Sequence, residues 1–362
     1  MDASEEQITS STQKLKYVPS LDSLRGYAVL MVLLVHGANR FFIGGWVGVD
    51  LFFVISGYLI TSLLIGEYNK YNDISLVKFY TRRFLRLLPA LFTGVLLANI
   101  LWSYSGFENS HRLKATLAAL FYFTNFIKDV PGNLIHLWSL AVEEHFYIFW
   151  PVLVLFFLFR LGYKKQIWFV VVLLLAVTAF RLYLGNVPID IGPIHIDSYH
   201  STFCRIDCIL LGVIMAIVLS HLKQANVNFI RPQNDNALLA LYGVLFVAVM
   251  FLVAGVSPWS QKGGFIATNL LCAFTVLFAV QHPQHPFFLN KAILWVGKRS
   301  YGIYVYHYPI FLFFTFKNGP QDIKTYIIIT LLRFGLTFII AALSFKYIEQ
   351  PILNYKKRFE VN

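Results

Sequence analysis

Eleven stretches of this sequence are apolar over nearly their whole length: residues 24–39, 46–65, 87–104, 112–127, 138–159, 167–184, 203–220, 237–255, 264–281, 300–316 and 325–346. Most reach the ~17–25 residues that a helix needs to cross a bilayer, where only helices and closed barrels satisfy their own backbone. Charged residues make up 13% of the chain and mean hydropathy is +0.63, against roughly 25% charged in soluble domains. No polar segment between the stretches reaches the ~50 residues of a soluble domain. The chain therefore reads as an all-α polytopic membrane protein.

Charge sets the number of spans. The run 112–127 begins His-Arg-Leu-Lys and is too short once those residues are removed, so it is expected as an outer half-helix. A bundle of about ten transmembrane helices remains, with both termini cytoplasmic. The inner side then holds Lys14, Lys16 and Arg25; Lys70, Lys78, Arg82, Arg83 and Arg86; Arg160, Lys164 and Lys165; Lys223 and Arg231; Lys291, Lys298 and Arg299; and Lys346, Lys356, Lys357 and Arg358. These are 20 of the 30 lysines and arginines, as the positive-inside rule expects. Counting 112–127 as a span would place Arg160, Lys164 and Lys165 outside. The expected division is a polar cytoplasmic tail at 1–19, a membrane domain at 20–352 and a basic cytoplasmic tail at 353–362. The longest loops fall at 66–86, 105–137 and 185–202.

The net charge of +12 is explained by this asymmetry. Without a basic, aromatic-interleaved soluble patch, nucleic acid is not expected as a partner. Cys204, Cys208 and Cys272 lie in apolar runs and read as small buried hydrophobes, with neither a disulfide nor a metal expected. The start MDASEEQITSSTQ is polar and acidic, unlike a signal peptide, so the first span is expected to stay attached.

Within the apolar stretches, the ionisable residues are the candidates for function, because a charge placed beside lipid is costly. The stretch Leu24–Asn39 carries Arg25 at one end and His36 at the other. Eleven residues is about three turns, so both lie on nearly one face, about 16 Å apart. A snorkelling arginine and an interfacial histidine satisfy the same pattern. Arg82, Arg83 and Arg86 surround one turn before Pro89. They suit either the phosphates of an anionic cofactor or a lipid headgroup and topology anchor.

Asp50 in the second span must face a neighbour, and Ser56-Gly57 suits close helix packing rather than a nucleophile. The segment His136-Leu-Trp138-Ser139-Leu-Ala-Val-Glu143-Glu144-His145-Phe-Tyr147 brings two carboxylates into an apolar run. Entering from outside at the depth of His36, Glu143 or Glu144 would orient that histidine as a general base. Arg205 with Asp207, Tyr301, Tyr304, His307, Arg333 and Glu349 complete a polar interior, each with an ordinary interhelical pairing as the alternative. Asp190, His195, Asp197 and His200 are expected to be solvated in an outer loop.

LDSLRGYAVLMVLLVH, GVDLFFVISGYLI, RRFLRLLPA, HLWSLAVEEHFYIFWP, SYGIYVYHYPI and YIEQP follow one another in the order of the membrane acyltransferase-3 family. The resemblance runs from about residue 20 to 352. It implies an acetyl-CoA or other acyl-CoA donor and, as acceptor, a hydroxyl of a surface glycan, such as lipopolysaccharide O-antigen, exopolysaccharide or peptidoglycan, or of its lipid-linked sugar precursor. The setting it implies is a bacterial inner membrane. His36 and Arg25 match the family's essential histidine and arginine, Arg82, Arg83 and Arg86 its basic acyl-CoA motif, and Glu143 the acid of its Trp-Ser-Leu segment. Many relatives carry a further C-terminal SGNH-type domain. With the sequence ending at Asn362, the expectation is that the membrane domain or a separate periplasmic transferase meets the acceptor. His145 stands where the family commonly has glutamine. A transporter or flippase of a lipid-linked or anionic solute is the alternative that uses the same charges, though no internal duplication supports it.

Overall fold

The computed structural model describes residues 18–39, 41–105, 111–128, 132–185, 187–225, 235–252, 264–315 and 322–356. Lys14, Lys16, Arg231, Lys357 and Arg358, and most of both expected tails, lie outside them. Each of the ten stretches expected to cross becomes a helix: α1 (Pro19–Gly37), α2 (Val47–Tyr71), α3 (Leu76–Ser105), then after a short α4 (Arg112–Leu120) α5 (Trp138–Phe156), α6 (Tyr163–Leu184), α7 (Thr202–Gln224), α8 (Asp235–Leu252), α9 (Phe265–Gln281), then after α10 (Lys291–Lys298) α11 (Ser300–Phe313) and α12 (Ile323–Ser344). A π-helical turn at Phe345–Glu349 joins α12 to α13 (Gln350–Lys356). Among the described residues six segments are long and apolar enough to cross a membrane: those of α2, α3, α5, α6, α7 and α12 with its continuation. The nine residues of α4 rise about 14 Å, too little to cross.

Two expectations need correction. The loop at 66–86 shrinks to residues 72–75, because α2 runs on to Tyr71 and α3 begins at Leu76. Asn72 ends α2 in the left-handed conformation that asparagine tolerates, at φ 53°. Arg82, Arg83 and Arg86 therefore stand on α3 itself, and Pro89 is interior to that helix rather than its start. The fold is also not wholly helical. Between α6 and α7 a hairpin pairs β1 (Ile189–Ile191) with β2 (Ile194–Ile196), antiparallel, with Asp190 opposite His195.

Buried polar and charged residues are set within an apolar core, and apolar side chains also cover the outside. Helix α2 packs against α1, α5, α7 and α9, while α6 and α12 present rows such as Val172 and Leu175, or Ile328, Leu331 and Leu332, to the surroundings. Glycine decides how near α7 comes to α2. A Cβ at Gly57 would lie 2.0 Å from the Ile209 carbonyl oxygen, and one at Gly212 would lie 2.2 Å from that of Val54. Ser56-Gly57 is thus a packing position, as its small side chains predict.

The hairpin segment is held by charge rather than simply solvated. Asp190 accepts from Lys128 at 2.9 Å and pairs with His195 at 2.7 Å. Asp197 accepts from the amides of Tyr199 and His200 at 2.7 and 2.6 Å and pairs with the His200 ring at 2.8 Å. Burial alone would raise the Asp197 pKa, but the hydrogen bonds and charge of His200, with the two amides, outweigh it and bring it down to about 2. A carboxylate with a depressed folded pKa stabilises above its ordinary value near 4 and loses that contribution as pH falls towards 2. The protection factors of residues 187–202, taken against the intrinsic exchange rate at each pH, should accordingly fall on acidification from pH 5 to pH 2, by on the order of 2 kcal/mol in opening free energy. Asp197→Asn should exchange fast throughout, and unchanged protection in that variant would remove Asp197 as the tie.

Candidate active site

A cavity partly open at the surface lies among α1, α2, α3, α5 and α11. Arg25, Arg83, Arg86 and Ser300 line one end; Ser56, Glu143, Tyr147, Tyr301, Phe52, Ser139 and Tyr304 line the rest. Helical spacing does not separate the three arginines: Arg82 and Arg86, four residues apart, lie about 40° from one another, and Arg83 and Arg86 about 60°. A tertiary contact does, since Arg82 reaches Glu67 of α2 at 3.4 Å while Arg83 and Arg86 line the cavity with Arg25, which corrects the expected three-arginine cradle. The Arg83 guanidinium lies 3.8 Å from the centre of the Tyr147 ring.

Glu143 is pinned in the middle of this cavity. It accepts from Ser56 Oγ at 2.8 Å, and Ser56 in turn accepts from the Tyr147 hydroxyl at 2.7 Å. The expected pairing of Glu143 or Glu144 with His36 is not present. The serine on α2 and the arginine on α3 draw Glu143 to the arginine side, and Glu144, the next residue round α5, does not line the cavity. Tyr304 closes the far wall, its hydroxyl accepting from Ser139 Oγ at 2.6 Å and donating to the His136 carbonyl at 2.8 Å.

Behind that wall three histidines meet. His36 is exposed, and its Nδ1 lies 3.2 Å from Nε2 of the fully buried His307. His136 bonds the Val305 carbonyl through Nε2 at 3.1 Å and stacks on Tyr308 at 5.1 Å. Tyr308 in turn meets the His36 ring edge-on at 5.0 Å. His136 and Tyr308 stand in the sequence motifs quoted above, but only His307 of the three carries a signal that singles it out from sequence. Their convergence on His36 depends on how α11 sits against α1 and the 3₁₀ turn at Gly132–Leu137, which no local pattern encodes.

Asp50 and Arg205 belong to a separate assembly. Arg205 of α7 donates to Asp50 of α2, and Arg181 of α6 meets Asp207 of α7 at 2.6 Å. Asn269 of α9 donates to Asp207 at 3.1 Å. All four charged residues are 2% exposed or less. The Arg205 guanidinium lies among Phe265, Tyr199, Phe53 and Trp138, at 4.8–5.8 Å from their ring centres. This cluster straps four helices together and does not line the cavity. Trp138 serves as one of its walls. His145, the departure from the family pattern, bonds Thr202 Oγ1 at 2.7 Å and stacks on Phe126, fixing α5 to the start of α7. Among the described residues no group of three or more His, Cys, Asp or Glu is placed to hold a metal ion.

The arrangement thus gathers Arg25, Arg83 and Arg86 about the cavity and leaves the imidazole of His36 exposed near the other end of α1. The chain is 34% identical to the peptidoglycan O-acetyltransferase OatA of Listeria monocytogenes, over 95% of this chain and 58% of that protein. It is equally 34% identical to the O-acetyltransferase OatA of Staphylococcus aureus, over 93% of this chain and 57% of that one. The chain therefore spans less than two thirds of the length of these relatives. No solved structure matches it. The acyltransferase-3 profile, described as an acyltransferase domain, matches residues 18–346. That match covers both ends of the cavity and the whole bundle around it, and favours group transfer over the transporter reading: the chain belongs to the membrane acyltransferase-3 family.

Proposed function

We propose that this chain carries an acetyl group from acetyl-CoA, met at the Arg25, Arg83 and Arg86 end, to a glycan hydroxyl met at the His36 end. The charge pattern supports a cytoplasmic position for the arginine end and both termini, with ten spans in a bacterial cytoplasmic membrane. The observation that carries the reading is α1 itself, which presents Arg25 to the cavity and His36 to the histidine cluster, about 16 Å apart. Guanidinium forks suit the CoA phosphates, and the pantetheine arm then runs past Phe52 to the Tyr304 wall, whose side chain has to swing aside for the thioester to reach His36. His36 takes the proton of the acceptor hydroxyl or carries the acetyl group itself. The peptidoglycan named for the Listeria relative supports a cell-wall glycan, free or lipid-linked, as acceptor in place of lipopolysaccharide. A separate periplasmic transferase is a compatible partner.

The test uses acetyl-CoA turnover by the purified protein. Arg83→Gln and Arg86→Gln should each raise KM for acetyl-CoA by ~10–100-fold, the worth of a charge-assisted hydrogen bond. Lysine at the same positions should restore part of the loss, because a fork becomes a point charge. Arg82→Gln should change KM by no more than a few-fold, since Arg82 turns to Glu67. An unchanged KM in Arg83→Gln and Arg86→Gln would reduce the arginines to a topology signal, and an equal rise at Arg82 would return Arg82 to the donor site.

A further inference from the structure

The contacts of His36 specify which of its two nitrogens is reactive. His307 Nδ1 lies 2.5 Å from the carbonyl oxygen of Tyr304, one turn earlier in α11. A carbonyl oxygen can only accept, so Nδ1 of His307 holds a proton and donates it. A neutral imidazole has one ring proton, and Nε2 of His307 therefore presents a lone pair. That lone pair faces Nδ1 of His36 at 3.2 Å. The contact is a hydrogen bond when Nδ1 of His36 carries the proton, which leaves the lone pair of His36 on Nε2.

We propose that His307 is a positioning residue: anchored on the Tyr304 carbonyl, it fixes His36 in the Nδ1–H form and so makes Nε2 the nitrogen that acts in acyl transfer. This rests on the acetyl-transfer reading above. A histidine base is commonly oriented by a carboxylate, but a carboxylate within a span brings its own uncompensated charge. A carbonyl-anchored imidazole gives the same orientation from neutral groups. His307 has little freedom to turn away, since its ring is packed edge-on by Phe311 at 5.5 Å and by His136 at 5.3 Å. The anchor is fixed as well, because the Tyr304 carbonyl is part of the α11 backbone.

In the transfer step, Nε2 of His36 takes the proton of the acceptor hydroxyl as its oxygen bonds to the thioester carbonyl carbon. The C–S bond breaks, and the CoA thiolate leaves and recovers the proton from Nε2. Nδ1–H stays in place, and its bond to His307 strengthens while the His36 ring is cationic.

His307→Leu removes the acceptor for Nδ1–H, whereas His307→Gln sets an amide oxygen near the place of Nε2. The leucine variant should lose ~10²-fold or more in kcat, within the ~10⁴ seen when a triad loses tautomer control. KM for acetyl-CoA should stay within about twofold, and glutamine should restore part of kcat. Nitrogen-15 NMR of ring-labelled protein, with the His36 signals assigned by their loss in His36→Gln, gives a test that needs no folded His307 variant. The wild type should show His36 protonated at Nδ1 and bare at Nε2, and His307→Leu should show both tautomers. An Nε2–H form in the wild type, or full kcat in the leucine variant, overturns the proposal. If His36→Gln is inactive while His307→Leu is fully active, the relay alone falls; if His36→Gln keeps activity, the acetyl-transfer reading falls too.

Discussion

His36→Gln is expected to abolish acetyl transfer while the protein still inserts and still binds acetyl-CoA. Glutamine is neutral, close in size and able to hydrogen-bond His307, so the packing around Tyr308 should survive. What it lacks is a nitrogen that can take a proton or carry an acyl group. Loss of a general base costs ~10²–10⁴ in rate, or about 3–5 kcal/mol of barrier, and loss of a covalent carrier can cost more. Donor binding should be spared because Arg25, Arg83 and Arg86 lie on the other side of the Tyr304 wall. The measurement is acetyl transfer to cell-wall glycan fragments beside acetyl-CoA binding on the same preparation. Activity within a few-fold of wild type would remove His36 from the mechanism, because a histidine that merely satisfied polar neighbours is replaceable by glutamine.

Much of this arrangement was legible in the sequence because lipid is a strict solvent. A run such as LRGYAVLMVLLVHGAN has to be a helix, and its two ionisable residues have to face protein or water. The ten helices follow from that constraint, and the short α4 follows from the basic start of its segment. Local helix geometry does not separate Arg82 from Arg83 and Arg86; the contact of Arg82 with Glu67 on α2 does. What the sequence does not carry is which helices touch. Glu143 and His36 enter from compatible depths, yet Ser56 on a third helix takes the carboxylate. His36 instead finds His307, 271 residues away. The hairpin at 189–196 was hidden for a different reason: three-residue strands lie below the reach of any periodicity.

The second large effect is expected far from the cavity, at the charge cluster that joins α2, α6, α7 and α9. Arg205 and Asp50 are each fully buried and face each other. Removing one partner strands the other charge, which costs about 3–5 kcal/mol of the ~5–15 kcal/mol that typically holds a fold together. Arg205→Met should therefore sharply reduce the folded yield and thermal stability in detergent, by stranding the Asp50 carboxylate. Asp50→Leu should do the same somewhat less, because the rings of Phe265, Tyr199, Trp138 and Phe53 cushion the Arg205 cation. The double variant Asp50→Leu/Arg205→Met leaves no stranded charge and should be more stable than either single one, since buried pairs exchange for apolar residues at little cost. Having lost a strap and no cavity residue, the double variant should bind acetyl-CoA with near wild-type affinity. A single variant as stable as wild type would show that the pair does not tie α2 to α7. A folded double variant with no acetyl-CoA affinity would instead move Asp50 and Arg205 from the scaffold into the donor site.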